Sequence, residues 1–149
     1  METHESVRFT NMCMIRDGDR VVVQDRLDPS WRGIAFPGGH VEEGEPFADA
    51  VIREVWEETG LTIAHPRLCG VKDYYSSEGR YVVLLYVATE FTGALRGSGE
   101  GPVFWTTLPE MRAMTMPPGM DRMLQVFLDE DLSEFYIQDI DGDRREWLK

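Results

Sequence analysis

The chain contains 149 residues and carries a formal net charge of −12 at pH 7, because 27 Asp and Glu outnumber 15 Lys and Arg. This length is typical of one domain with a sizeable core, so we expect a single domain over residues 1–149. The negative charge argues against a nucleic-acid polymer or an anionic membrane as partner. No apolar run approaches the roughly 20 residues that span a bilayer, and no signal-peptide pattern begins the chain, so we expect a cytoplasmic protein.

The first third of the sequence predicts a β-hairpin followed by a glycine-rich turn. Apolar and β-branched residues indicate strands over residues 7–15 and 20–24, which the turn Asp17-Gly18-Asp19 joins. A loop begins near residue 28. The short apolar run 34–36 then leads into Pro37-Gly38-Gly39, a sequence that regular structure rarely continues through.

A helix over about residues 46–59 is the next predicted element. Pro46 suits a first helical turn, and Gly60 suits the left-handed residue that ends a helix. Apolar residues recur at helical spacing, which predicts one inward face. That apolar stripe comprises Phe47, Ala48, Ala50, Val51 and Val55.

The remainder of the chain mixes strands and helices irregularly. We expect an interrupted strand over 61–73 that Pro66 bends, a strand over 80–91, a glycine-rich loop over 93–101 and a short strand over 103–106. Helices over 108–114 and 120–129 precede a strand over 133–140, which a turn at 141–143 connects to a terminal partner strand. This order predicts an α/β (α+β) class with a mixed sheet.

Three glutamates in the predicted helix carry the strongest chemical signal. Glu54, Glu57 and Glu58 are spaced i, i+3 and i+4, so a helix places them on one face. Like charges in that arrangement repel, and a hard divalent cation with oxygen ligands would relieve the repulsion. The spacing therefore favours Mg2+ (or Mn2+) binding and a metal-dependent phosphate chemistry.

Residues 39–61 resemble the Nudix box: Gly, five residues, Glu, seven residues, then Arg-Glu-aliphatic-any-Glu-Glu-any-Gly-aliphatic. The matching positions are Gly39, Glu45, Arg53, Glu54, Val55, Glu57, Glu58, Gly60 and Leu61. The resemblance implies a Nudix-type α/β/α sandwich with a central mixed β-sheet, in which the box forms a loop–helix–loop. The segments 31–33 and 36–39, and Glu100-Gly101 followed by Trp105, are similar to the MutT-like branch of this family.

The resemblance also implies roles for individual residues. Metal ligands would be Glu54, Glu57 and Glu58, with the main-chain carbonyl of Gly38 as a further ligand. Glu45 would pair with Arg53, and both would hold the box in shape. Glu100 is the candidate general base from the glycine-rich loop, with an ordinary exposed loop glutamate as the alternative. The resulting catalytic set is Glu57, Glu58, Arg53, Glu45 and Glu100.

Substrate recognition is less clearly indicated. Aromatic residues that would stack on a base, or pack in the core instead, are Trp31, Phe36, Tyr74, Tyr75, Tyr81 and Trp105. A methionine-rich segment around Pro117-Pro118-Gly119 would line a base pocket or pack in the core. His40, Arg26 and Arg32 are candidate phosphate contacts, with a solvated role as the alternative.

The leading hypothesis is a Mg2+-dependent hydrolase of a nucleoside diphosphate linked to another group. An ordinary or oxidised nucleoside triphosphate, cleaved to the monophosphate and pyrophosphate, is the favoured substrate. The alternatives are an NDP-sugar, ADP-ribose or dinucleotide pyrophosphatase, or a non-catalytic nucleotide-binding Nudix module. The absence of a proline about fifteen residues beyond the box mildly disfavours ADP-ribose. The expected partner is a nucleotide-like small molecule, and the sequence leaves a homodimer open.

Overall fold

The computed structural model describes residues 2–149, which contain the following elements. In chain order they are β1 Val7–Asp17, β2 Arg20–Arg26, β3 Gly33–Ala35, α1 Phe47–Thr59, β4 Thr62–Ala64, β5 Arg67–Ser76, β6 Gly79–Ala88, β7 Glu90–Thr92, β8 Val103–Thr107, α2 Leu108–Ala113, α3 Met120–Leu128, β9 Glu134–Ile140 and β10 Asp143–Leu148. None of the helices in this described range is long and apolar enough to cross a membrane.

A mixed sheet forms the centre of the fold. Its strands follow the order β10-β9-β5-β6-β1-β2-β3, and β8 pairs with β2 outside this path. The pairs β1–β6 and β5–β9 are parallel, whereas the other pairs in this sheet are antiparallel. The separate strands β4 and β7 form a small antiparallel sheet. This topology confirms the predicted mixed α+β class.

Helices cover both faces of the sheet because alternate strand residues point to opposite sides. On one face, residues of α2 and α3 such as Met111 and Met123 pack in a cluster with Met12 of β1. On the other face, Val51 and Val55 of α1 pack in a second cluster with neighbouring strand residues. The two clusters confirm the predicted α/β/α layering.

The helix α1 follows its sequence signals closely. It begins after Pro46 and ends at Gly60, which adopts the left-handed conformation with φ 79°. Phe47 and Ala48 depart from the predicted inward stripe, because both are exposed. Phe47 is 40% exposed and lies against Phe9, with ring centroids 5.0 Å apart. The first helical turn extends past the core, so this aromatic pair lies at the surface.

One predicted strand is shorter than the sequence suggested, and the strand expected over 61–73 is interrupted at Pro66 as predicted. The strand expected over 80–91 ends at Ala88, and β7 then turns to pair with β4. The segment 61–73 divides at His65, whose φ of 51° precedes Pro66 and turns the chain between β4 and β5. In both cases a short local break moves the chain from one sheet to the other.

The β1–β2 hairpin opens beyond its turn, and this opening creates the site. The two strands pair only at Arg16 with Val21 and at Asp17 with Arg20. Further along β1, the segment 37–39 lies against the strand: Cys13 N donates to the Pro37 carbonyl and Asn11 N to the Gly39 carbonyl, both at 2.8 Å. The glycine turn is thereby fixed beside α1.

Candidate active site

Glu58 projects from α1 into the protein interior. Its side chain is buried, with 3% of the residue exposed, and Oε2 accepts a hydrogen bond from Gly38 N at 2.9 Å. Within the described residues, Oε1 has no hydrogen-bond partner. Burial raises the pKa of Glu58, and the neighbouring carboxyl group of Glu100 raises it further, because the two carboxyls share a hydrogen bond only when one is protonated. The exposed Glu100 therefore places a second acidic group against the buried Glu58.

Glu54 lies one turn earlier on α1 and packs against the glycine turn. A Cβ atom on Gly39 would overlap the Glu54 carboxylate, so only glycine allows this close approach. Arg53 Nη1 donates to Glu54 Oε1 at 2.9 Å. Burial raises the pKa of Glu54, Arg53 opposes this change, and the charges of Glu57 and Glu100 add to it. Glu54 thus joins the same acidic cluster.

Arg53 ties the loop of the predicted box to the helix. Its Nε donates to Glu45 Oε2 at 2.8 Å, and its Nη2 donates to Glu45 Oε1 at 3.0 Å. Nη2 also donates to the main-chain carbonyl of His40 at 3.0 Å. The hydrogen bonds from Arg53 lower the pKa of Glu45. This two-pronged contact is the pairing that the sequence predicted, and it fixes the position of both segments.

The three helix glutamates do not share one environment, contrary to the expectation of a common carboxylate face. Glu58 is buried and the Glu54 side chain is 14% exposed, whereas the Glu57 side chain is 48% exposed and contacts Arg53 Nη1 at 3.2 Å. The reason is that the glycine turn covers only the part of α1 that carries Glu54 and Glu58. Glu57 lies on the solvent side of this cover.

The donor chemistry fits a hard divalent cation, although the side chains have not converged around one position. In residues 2–149, no three His, Cys, Asp or Glu side chains form a ready metal-binding group. The Oε1 atom of Glu58 nevertheless has no hydrogen-bond partner among the described residues, and it lies beside the carboxyl groups of Glu54 and Glu100, which are further oxygen donors. Arg53 Nη1 contacts both Glu54 and Glu57, so it supplies the positive charge for those two carboxylates in this structure.

A cavity of about 780 Å³ opens directly beside this cluster. At one side its lining includes Gly38, Gly39, Glu54 and Glu100. The lining elsewhere includes Trp31, Phe36, Lys72, Tyr81, Val83 and Met123. This volume is in the usual range for a small-molecule site, and it combines carboxylates with an aromatic and apolar wall.

Some of the residues predicted to recognise the substrate line the cavity, and others do not. Trp31, Phe36 and Tyr81 line the cavity, as do Arg26 and His40. Outside the cavity lining are Tyr74, Tyr75, Trp105 and Arg32. Among the methionines, Met123 lines the cavity and is also buried in the core, as are Met111 and Met120, whereas Met114 and Met116 pack at the core edge.

Among the polar cavity residues that the sequence reading missed, two have unusual environments. Asn11 is buried; its Oδ1 accepts from Gly39 N at 3.0 Å, while its Nδ2 has no partner in the described part of the chain. Lys72 lies in β5 with Nζ 5.5 Å from the centroid of Trp31, and burial lowers the pKa of its ammonium group. For Asn11 the available signal was a polar residue beside the apolar run of β1, whereas Lys72 stands next to Asp73 in β5 and gave no such signal.

The fold and the site together define a nucleotide-hydrolase type of domain: a box-like loop–helix–loop carries clustered carboxylates beside a cavity. The NUDIX domain family matches residues 7–127 of this sequence. The chain therefore belongs to the Nudix hydrolase family, and it acts on nucleoside diphosphate-linked substrates as an enzyme of this family.

Individual relatives agree with this assignment. The Nudix hydrolase YvcI of Bacillus subtilis is 32% identical over 127 residues, which are 81% of this chain and 78% of the relative. An 8-oxo-dGTP diphosphatase of Escherichia coli is 29% identical over 91 residues, covering 61% of this chain and 70% of that protein. A MutT protein of Bacillus halodurans has a similar structure, with a TM-score of 0.78 and 27% identity over 95% of this chain and 97% of the other.

Proposed function

We propose that the protein is a Mg2+-dependent nucleoside triphosphate pyrophosphohydrolase. Water would add to the substrate and break the α–β phosphoanhydride bond, which yields a nucleoside monophosphate, pyrophosphate and protons. The observation that carries this proposal is a single cavity that joins the carboxylate cluster around Glu58 to an aromatic wall at Trp31. The cluster suits the polyphosphate with its metal ion, and the wall suits a base.

The residues of this chain would hold the metal ion in a definite region. Glu54, Glu57 and Glu58 are the proposed ligands, and the Gly38 carbonyl is a further one. A bound Mg2+ or Mn2+ ion supplies charge neutralisation on the phosphate oxygens and lowers the pKa of a coordinated water. The three glutamates are on α1, whereas the Gly38 carbonyl is on the glycine turn. The helix and the glycine turn together would therefore position the metal ion and the phosphates.

Other residues would act on orientation and proton transfer. Arg53 and Glu45 are positioning residues, because their two-pronged contact fixes the glycine loop relative to α1. Glu100 is the proposed general base, since its carboxyl group reaches the buried Glu58 from the 93–101 loop. A base in this place would accept the proton of the attacking water while Asn11 and Gly39 keep the turn in position.

A pyrophosphate-release assay tests the proposal. Purified protein with Mg2+ is given the canonical dNTPs and 8-oxo-dGTP, with ADP-ribose, an NDP-sugar and a dinucleotide as competing substrate classes. We expect pyrophosphate and monophosphate from at least one triphosphate. Hydrolysis restricted to a competing class, or no hydrolysis by folded protein, would refute the proposed activity.

Two substitutions separate the metal cluster from ordinary surface charge. Glu58→Gln should lower turnover by at least about 100-fold, because it removes a proposed ligand without a change in size. Glu43→Gln is the matched control: this glutamate is exposed in the loop before α1, and its substitution should leave turnover unchanged. Full activity in Glu58→Gln would exclude Glu58 from the metal site.

A third substitution tests the general base. Glu100→Gln should reduce the maximal rate while substrate binding and the melting temperature stay close to those of the parent protein, because the loop carboxyl acts on the proton rather than on the fold. An unchanged maximal rate would leave Glu100 as an ordinary loop glutamate.

A further inference from the structure

A row of paired residues crosses the floor of the cavity from the glycine turn to β5. His40 pairs with Thr10 of β1, Thr10 with Val83 of β6, and Val83 with Lys72 of β5. All four residues line the same cavity. Since paired residues on neighbouring strands direct their side chains to the same face of the sheet, Lys72 belongs to the floor that begins at the carboxylate cluster.

The row of paired residues also shows how far Lys72 lies from His40 and in which direction a bound nucleotide would extend. Neighbouring strands lie about 4.8 Å apart, so the backbone of Lys72 lies about 14 Å from that of His40, three spacings away. His40 is fixed to the box, because its carbonyl accepts a hydrogen bond from Arg53. A nucleotide whose phosphates lie at the carboxylate cluster would therefore extend its base toward Lys72 and Trp31.

Lys72 is an unusual residue for this position. It is one of two lysines in a chain of net charge −12. In the described part of the chain its ammonium group makes no ion pair and no hydrogen bond; it lies over the Trp31 ring, with Arg144 and Glu146 as the nearby charges that affect it. A half-buried ammonium group with three donors and no acceptor partner is costly to leave unpaired, which points to a ligand as its partner.

Trp31 provides the matching surface for a base. Its indole Nε1 donates to the Pro118 carbonyl at 2.9 Å, which holds the ring against the segment before α3. The guanidinium carbon of Arg26 lies 5.2 Å from the ring centroid. An anchored aromatic ring holds a planar base in place without reading its edge, so any discrimination between bases has to come from a polar group such as Lys72.

We propose that Lys72 selects the nucleobase of the substrate by donating hydrogen bonds to the carbonyl oxygen at position 6 and to N7 of a guanine- or hypoxanthine-type purine held at Trp31. Adenine also offers the N7 acceptor, but it carries an amino group at position 6, so the ammonium group would lose one of its two acceptors and face a donor there instead. This assignment rests on the proposed nucleoside triphosphate substrate and adds its base class.

The substrates dITP and dATP test whether the protein distinguishes a carbonyl oxygen from an amino group at position 6 of the purine. Both bases lack the 2-amino group of guanine, so that group does not affect the comparison. We expect kcat/KM for dITP to exceed that for dATP by about 10- to 100-fold, the range for one hydrogen bond to a charged group. In Lys72→Met this ratio should fall to about one. Lys149→Met makes the same chemical change at the only other lysine, outside the cavity lining, and should keep the parental ratio.

The outcomes separate base selection from a general phosphate contact. If Lys72→Met weakens the reactions of dITP and dATP by the same factor, the ammonium group contacts phosphate and the proposal is wrong. If Lys72→Met leaves kcat/KM for both dITP and dATP at the parental values, the proposal is wrong as well. Replacing Trp31 with Leu should lower both values by a similar factor and keep their ratio, since stacking does not distinguish the two purines.

A binding measurement keeps this inference separate from the proposed activity. IMP and AMP are titrated into the protein by calorimetry in EDTA, without divalent metal. Tighter binding of IMP that disappears in Lys72→Met supports the role of Lys72 even if no triphosphate is hydrolysed, in which case only the proposed reaction fails. Equal affinity of the parent protein for IMP and AMP overturns the inference whether or not hydrolysis occurs. Circular dichroism melts check that each variant is folded.

Discussion

Replacement of Glu58 with Gln should make the metal-free protein more stable while it lowers turnover by at least about 100-fold. Glu58 is 3% exposed, and its Oε1 has no partner among the described residues. A glutamine has the same shape, keeps an acceptor for Gly38 N and places an amide donor where the unpartnered oxygen lies, next to the acidic Glu100. The substitution therefore removes a buried charge and adds a donor beside the Glu100 carboxyl group.

The size of the effect follows from the raised pKa of Glu58. Its ordinary value is 4.5. A carboxyl whose folded pKa is raised stabilises the fold fully below its unfolded pKa, and this stabilisation is lost as the pH rises toward the folded pKa. Each pH unit above the ordinary value costs about 1.4 kcal/mol. Partial relaxation reduces the total, so we expect a gain of about 2–3 kcal/mol in the free energy of unfolding for Glu58→Gln at pH 7.

Urea denaturation in EDTA measures this difference. The stability of the two proteins should be nearly equal near pH 4.5 and should diverge as the pH rises, because the glutamine does not titrate. Glu43→Gln controls for the loss of one negative charge from an acidic protein and should remain within about 0.5 kcal/mol of the parent. A lower stability of Glu58→Gln at pH 7, or a constant difference across the pH range, would refute the reasoning.

Three further outcomes follow from contacts elsewhere in the site and core. Arg53→Lys should lower turnover and destabilise the fold by about 1–3 kcal/mol in urea, because lysine cannot reproduce the two-pronged contact with Glu45. Gly38→Ala should lower the melting temperature strongly, since its Cβ would collide with the Asn11 carbonyl, whereas a Cβ on Gly99 would meet nothing within 4 Å and Gly99→Ala should melt like the parent. Phe135→Ala should cost about 3–5 kcal/mol of unfolding free energy, because this fully buried ring leaves a cavity at the sheet.

Local signals were sufficient for most of the elements near the site. Pro46 and Gly60 marked the ends of α1 because each suits a backbone conformation that few other residues adopt readily. The break at Ala88 had no such glycine or proline marker: Thr89, Glu90 and Phe91 follow it, and the change of partner from the main sheet to β4 depends on tertiary pairing. Sequence periodicity records which residues suit a strand, but it does not record which strand they pair with.

The carboxylate cluster shows the same limit at the level of single side chains. The helical spacing correctly predicted that Glu54, Glu57 and Glu58 occupy neighbouring positions on α1. It did not predict that their side chains differ in burial. Their environments differ because the opened β1–β2 hairpin admits the glycine turn, which covers Glu54 and Glu58 and leaves Glu57 in solvent. That cover depends on backbone hydrogen bonds from Asn11 and Cys13, and neither bond has a signature in the box itself.

The base end of the cavity required the register of three strands before it became visible. Lys72 is distant in sequence from the box, and a lysine in a strand ordinarily indicates a solvent-facing position. Only the alignment with Val83 and Thr10 shows that it faces the same cavity as the glycine turn. The box determines where a pyrophosphate lies, and it is repeated across enzymes with different substrates. Discrimination between substrates must therefore come from residues that the box does not contain, and in this chain the sheet register identifies Lys72 as the residue to test first.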